Sequence, residues 1–238
     1  MNSHRRKFLH RAMAGSAAFF TVPGAFSEAL TLTPKSTEGP FYPNELPLDT
    51  DNDLVQINDG ITPAVGEITH FSGRIFDGDS KLVRNAMIEI WSADADGNYI
   101  HTQGAAEGKK RDANFQGYGR FLTGSNGRYN FRTIKPVPYG PRTPHIHVAV
   151  SVGGERVLTT QVYIKGYEQN ARDRLFNDTP EKLRGLLETD YKPVEGSETG
   201  ELFANWDAVI GYTPEDAGAD RQRRTGSSTG FRPGGKGK

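Results

Sequence analysis

Short runs of alternating apolar residues, each closed by a glycine-containing turn signal, constrain this chain more than any other feature. Along Ile146, Val148, Val150 and Val152 an apolar side chain recurs at every second position, the period of a strand with one buried face. Strand candidates span residues 67–76, 86–92, 119–123, 129–134, 145–152 and 157–164, with a last one near 206–210. Asp77-Gly78, Asp96-Gly97, Asn126-Gly127 and Gly153-Gly154 separate them, and these pairs suit tight turns. One helix is expected after Asp178, with Thr179 as its cap, Pro180 in its first turn, and Leu183, Leu186 and Leu187 on one face. Strands that follow one another without long helices predict an all-β fold, an antiparallel β-sandwich with long loops and one or two short helices.

The chain of 238 residues is 35% apolar and 24% charged, enough for one well-buried domain. Its formal net charge is zero, so no field over the whole molecule draws it to nucleic acid or anionic lipid. Cysteine is absent, which excludes disulfides, thiolate metal sites and Cys nucleophiles. Any metal must be held by His, carboxylate, Tyr or water. Residues 1–29 read as a targeting segment: Arg5-Arg6-Lys7-Phe8-Leu9 precedes a small and apolar run, the order of a twin-arginine export signal. The run is too short for a stable membrane span, so a periplasmic or extracellular location is expected. Residues 30–66, rich in Pro, Thr and Asp, form an arm laid over the domain; 67–216 form the sandwich; the basic, Gly- and Ser-rich residues 217–238 read as a disordered tail.

The stretch 138–147, Pro-Tyr-Gly-Pro-Arg-Thr-Pro-His-Ile-His, carries the densest chemistry. His145 and His147 share the strand face opposite Ile146 and Val148. Same-side residues on a strand lie roughly 6.5–7 Å apart, close enough for both rings to reach one ion. Tyrosine is the donor to weigh next, because a phenol with a pKa near 10 becomes a ligand at neutral pH only when a strongly acidic cation such as ferric iron displaces its proton. Tyr139 lies just before the strand, where Gly140-Pro141-Arg142-Thr143-Pro144 can turn it back toward the histidines. Tyr99 ends a separate strand–turn unit beginning at Trp91.

Further motifs occur in order along the chain: Thr37-Glu-Gly-Pro-Phe-Tyr-Pro43, Glu89-Ile-Trp-Ser-Ala-Asp94 with Gly97-Asn-Tyr99, Asn114-Phe-Gln-Gly-Tyr-Gly-Arg120, the run from Gly127 to Pro136, Pro138-Tyr139 and Arg142-Thr-Pro-His-Ile-His147. In that order they resemble the intradiol ring-cleavage dioxygenases. The resemblance covers about Pro34 to Ile164 and implies a non-haem Fe(III) (Fe3+) cofactor held by two tyrosinates and two imidazoles. Tyr99 and Tyr139 match the phenolate ligands, and His145 and His147 match the imidazole ligands. A catechol-type substrate is expected to displace Tyr139, and cleavage with O2 between the two hydroxylated carbons to give a cis,cis-muconate-type product. Arg142 matches an arginine that stabilises charge developing on the substrate ring, and Gln161 matches a glutamine beside the site. Gly39 and Pro40 match residues that line the substrate pocket. A three-residue turn, Gly153-Gly154-Glu155, sets Gln161 opposite His147, whereas a two-residue turn puts it on the wrong face.

Two departures from the family stand out. The helical dimerisation region of the catechol branch has no counterpart between the export segment and the arm, so a dimer of that kind is not expected; the oligomeric state otherwise stays open, a homo-oligomer included. Only Gly140 and Pro141 separate Tyr139 from Arg142, shorter than in the protocatechuate branch, which predicts a more open pocket mouth. Two other readings compete. Gly73-Arg-Ile-Phe-Asp77, Asn85-Ala-Met-Ile-Glu-Ile90 and Gly127-Arg-Tyr-Asn-Phe131 also occur in non-catalytic, transthyretin-like binding modules. A His-rich oxidoreductase using Cu or Fe2+ is the other, and it requires a carboxylate or further His that His4, His10, His70 and His101 do not obviously supply.

Overall fold

The structure is a computed structural model that describes residues 30–58, 60–101 and 110–211. The expected export segment, residues 1–29, and the expected basic tail, residues 217–238, lie outside the described residues. The strands are β1 (Ile68–Asp77), β2 (Ala86–Trp91), β3 (Tyr118–Leu122), β4 (Arg128–Ile134), β5 (His145–Val152) and β6 (Glu155–Ile164). After a 3-10 turn at Glu168–Arg172 come α1 (Arg174–Asp178) and α2 (Glu181–Arg184), then β7 (Glu188–Thr189), β8 (Lys192–Pro193), β9 (Leu202–Asn205) and β10 (Ala208–Ile210).

Two five-stranded sheets face each other. In the first, β1 has β4 on one edge, while β9 and then β10 run along the other, with β8 outside β9. The second runs β3-β2-β5-β6-β7. Alternation decides the faces: Phe71 and Ile75 of β1 meet Ile88 and Ile90 of β2, Ile146, Val148 and Val150 of β5, and Leu158 and Val162 of β6 in one buried core. Burying each such side chain contributes about 1.5–3 kcal/mol.

The antiparallel frame expected from the turn signals is present in β1–β4, β2–β3, β2–β5 and β5–β6. The sheets are nevertheless mixed, because β9 and β10 join β1 in parallel and β7 joins β6 in parallel. These late strands arrive after the helical excursion at 168–187, and a connection of that length frees a strand from the hairpin rule. The strand expected near 206–210 is present as β10 but begins at Ala208: Trp206 donates its N–H to the Ser72 carbonyl between β9 and β10. Gly73 lies at that crossing, where an added Cβ would stand 1.8 Å from the Trp206 carbonyl oxygen. Gly73→Ala is therefore expected to destabilise the fold by about 1–3 kcal/mol, read as a lower urea midpoint at unchanged slope.

The helical expectation needs one correction. Thr179 does not cap the second helix; it closes α1, its N–H bonding to the Phe176 carbonyl, and Pro180 is the N-cap of α2 rather than part of its first turn, with no side-chain cap bond. The capped helix is α1, whose Asp173 accepts from the Phe176 N–H. Leu187 is buried, against Tyr163 and Phe176.

Candidate metal centre

On the outer face of the second sheet, β5 presents His145 and His147, and both are only 2% exposed. A polar pair on a strand face would ordinarily be solvated; here the arm and two loops cover it. Phe41 stacks on Tyr99 at 5.1 Å, Trp91 stacks on His147 at 4.8 Å, and Tyr42 meets the edge of Trp91 at 5.0 Å. The arm is fastened along β6 by Ser36 N–H to the Thr159 carbonyl (2.8 Å) and Thr160 Oγ1 to the Pro34 carbonyl (2.8 Å). Buried Glu89 adds a clamp, accepting from the Tyr42 hydroxyl (2.7 Å), the Tyr118 hydroxyl (2.6 Å) and Arg156 (2.7 Å).

The four expected metal donors come together. His145 Nε2 lies 3.2 Å from His147 Nε2 and 3.5 Å from the Tyr99 hydroxyl. Tyr139 is centred 5.1 Å from the Tyr99 ring and 5.6 Å from that of His145. The short link expected to turn it back does so: Arg142 N–H bonds to the Tyr139 carbonyl at 2.9 Å, with Gly140 at φ 50° between them. Gly97 packs beneath, where an added Cβ would stand 3.2 Å from Tyr139 Cβ. Tyr99 is buried and Tyr139 only partly so.

The donor chemistry fits a hard, acidic cation. His145 Nδ1 donates to the Thr143 carbonyl at 2.7 Å, so its Nε2 carries the lone pair. Burial, with the charge of Arg142, pushes the His145 pKa down to about 4. Burial, helped by His145 and Arg142, holds His147 well below its usual value, so both imidazoles are neutral at pH 7. His147 Nδ1 is buried without a hydrogen-bond partner. Donors held about 2.0–2.1 Å from one ion stand about 3–3.4 Å apart, and the 3.2 Å between the two Nε2 atoms is such an edge. Burial raises the Tyr99 phenol well above its ordinary value, with Tyr139 adding to the rise. Only a cation acidic enough to displace that proton converts it to a ligand, and ferric iron meets the requirement. Among the described residues, no group of three or more His, Asp or Glu is placed to hold a metal.

Gln161 faces His147 across the β5–β6 ladder, as expected, but by a different device. The turn is the two-residue Gly153-Gly154, both with positive φ (61° and 89°), and Val152 pairs with Glu155. The register shifts at Val150/Ser151: Arg156 pairs with Ser151 and Leu158 with Val150, so Val157 is the extra residue of a bulge. The bulge supplies the residue assigned to the turn and returns Gln161 to the site face.

Arg142 donates through Nη2 to Gln161 Oε1 and through Nε to Asp173 Oδ2 at 2.8 Å. Gln161 Oε1 also accepts from the Tyr163 hydroxyl (2.9 Å), while its Nε2 donates to the Thr37 carbonyl (3.2 Å). Beside this cluster lies a cavity of 580 Å³ lined by Thr37, Gly39, Pro40, Pro141, Arg142, Arg172, Arg174 and Leu175. Gly39 joins cavity to donors: its φ is +75°, and an added Cβ would lie 3.3 Å from His147 Cε1. The residues expected to line a substrate pocket, Gly39, Pro40 and Arg142, thus line one cavity.

Sequence reasoning missed Asp173, Tyr163, Phe41 and Trp91 as parts of this site. Asp173, 1% exposed, accepts from Arg142, from Thr143 N–H (2.9 Å) and from Phe176 N–H (3.0 Å). Its one visible signal was an Asp three residues before an apolar Phe, the spacing of a helix cap.

A family model for dioxygenases (Dioxygenase_C) matches residues 37–207. The protocatechuate 3,4-dioxygenase beta chain of Burkholderia cepacia is 35% identical over 173 residues, covering 69% of this chain and 72% of that one. Catechol 1,2-dioxygenase 2 of Acinetobacter lwoffii is 32% identical over 152 residues, 56% of this chain and 52% of that relative, so the match spans about half of its length. Among solved structures, the dioxygenase domain of a dioxygenase carbohydrate-binding protein fusion from Streptomyces sp. SirexAA-E superimposes with a TM-score of 0.59 at 27% identity, covering 77% of this chain and 100% of that domain.

Proposed function

From the premise that the chain belongs to the intradiol dioxygenase family, we propose that it is a non-haem Fe(III) enzyme that opens a catechol-type ring between its two hydroxylated carbons with O2, giving a cis,cis-muconate-type product. The observation that carries the reading is the convergence of His147 Nε2 and the Tyr99 hydroxyl on His145 Nε2, at 3.2 and 3.5 Å, next to Tyr139 and a 580 Å³ cavity. Tyr99, Tyr139, His145 and His147 would hold the iron. When bound, ferric iron supplies a Lewis acid that favours the deprotonated catechol and draws electron density from its ring.

The protein residues then divide the work. Tyr99 is locked under Phe41, whereas Tyr139 rests on its own tight turn and is partly exposed. Of the two phenols that would hold the iron, Tyr139 is therefore the one that would yield to substrate, its oxygen accepting a proton from the catechol. Arg142, pinned by Asp173 and Gln161, holds a fixed positive charge at the cavity wall where negative charge grows on the ring. Gly39 brings the arm's backbone against His147, and with Pro40 it lines the cavity beside the donors. A transthyretin-like binding module would have no use for four metal donors and an oriented arginine.

Aerobically purified, iron-replete protein is expected to be red-brown from phenolate-to-iron charge transfer, with the band shifting on addition of catechol and one O2 consumed per ring cleaved. Protein that stays colourless after reconstitution with ferric iron would sink the proposal.

A further inference from the structure

The mechanism above uses one arginine of the cavity wall, but the wall holds three. Arg172 and Arg174 flank Asp173, whose side chain turns inward to Arg142, while both neighbours line the 580 Å³ cavity. No carboxylate is among the lining residues. The nearest acidic residue on the same segment that borders a cavity, Glu168, lines an adjoining 450 Å³ cavity, which Arg172 also borders. Among the described residues neither Arg172 nor Arg174 has a carboxylate within salt-bridge distance, whereas the Arg142 charge is met by Asp173. The rim thus presents two uncompensated guanidiniums, exposed enough to stay hydrated until a ligand arrives. Paired forks of this kind suit a planar carboxylate. Gly39, Pro40 and Pro141, which also line the cavity, offer no charge and suit a flat ring.

Resting on the reading of this cavity as the substrate pocket, we propose that Arg172 and Arg174 are specificity-determining residues: they form an anion-recognition rim that selects catechols bearing an acidic substituent directed away from the two hydroxyls. The substituent is a carboxylate on the ring or on a short side chain. Neutral catechols enter the same pocket without that contact.

The test is equilibrium binding of two unreactive, isosteric probes, 4-hydroxybenzoate and 4-hydroxybenzamide, to the iron-loaded full chain. Two partly exposed charge contacts are expected to make the carboxylate bind roughly 3- to 30-fold tighter than the amide. The preference should shrink as salt rises from about 0.05 to 0.5 M, disappear in Arg172→Gln/Arg174→Gln, and persist in Arg128→Gln, on the far sheet. Equal affinities in the unaltered protein, or a preference that survives in the double variant, would overturn the proposal. If the double variant fails to fold, Arg172→Gln and Arg174→Gln made singly carry the test: each is expected to lose part of the preference, and a full preference in both would overturn the proposal. Turnover of 3,4-dihydroxybenzoate against 3,4-dihydroxybenzamide separates the two readings. A binding preference with no ring cleavage would strike the dioxygenase assignment and leave the anion rim standing.

Discussion

Replacing Asp173 with alanine is expected to lower stability by about 3–5 kcal/mol and to slow ring cleavage by about 10- to 100-fold. The side chain is fully buried, and its partner Arg142 is 16% exposed. Truncation leaves a nearly buried guanidinium without its counter-charge and strips two backbone N–H groups, Thr143 and Phe176, of their acceptor. Thr143 carries the carbonyl that orients His145, so the damage reaches a metal donor through one residue. Asp173→Asn keeps an acceptor for α1 but loses the charge, and an intermediate loss is expected. The pH dependence has a definite sign. Burial alone would raise the Asp173 pKa, but Arg142 and the two N–H donors outweigh it and the net shift is downward. A carboxylate with a depressed folded pKa contributes its stability fully above the unfolded value, about 3.9, and loses it as pH falls through the lower folded value. Urea unfolding should therefore show a wide gap between the two proteins at pH 7 that narrows as pH falls below the unfolded value of about 3.9. A gap under about 1 kcal/mol at pH 7 would mean that the carboxylate is not the clamp.

What the sequence disclosed and what it hid follow from the range of the forces involved. The strand β5 was legible at both ends because its two-residue period is a local property of Ile146 to Val152. The positions of Tyr99, Tyr139, His145 and His147 were legible through motifs, and the tight Tyr139–Arg142 turn through its Gly-Pro pair. The bulge at Val157 was not, because a turn and a bulge that each add one residue give Gln161 the same partner and leave the same trace in sequence. Burial of the histidine face was hidden for another reason. It depends on Phe41 and Tyr42 arriving from an arm more than a hundred residues earlier in the chain, and nothing local to β5 announces a cover. Asp173 stands between two arginines in a polar run, where its cap, its ion pair and its bond to Thr143 all depend on where α1 docks. The two-residue strands β7 and β8 carry no period at all.

Arg142→Ala is the change expected to separate charge stabilisation from metal binding. The guanidinium adds positive charge beside the donors without being one of them, so iron and its visible band should remain while kcat falls by about 10²–10³-fold. Retention of the metal follows from the causes of the imidazole shifts: burial is the larger one at both His145 and His147, with Arg142 a lesser contributor. Losing Arg142 moves both pKa values upward, toward the ordinary histidine value, but burial still keeps the rings neutral and able to donate at pH 7. Arg142→Lys should recover less than a tenth of the lost rate, because an ammonium cannot reproduce the fork that bonds Asp173 through Nε and Gln161 through Nη2 together. Gln161 would then lose the donor that, with the Tyr163 hydroxyl, holds its amide oxygen, and with it the alignment of its bond to Thr37 on the arm. Single-turnover rates on iron-loaded protein, with the charge-transfer band recorded on the same sample, read both quantities at once. A rate within about threefold of the unaltered enzyme would remove the electrostatic role. Loss of the band together with activity would instead make Arg142 a support of the metal donors.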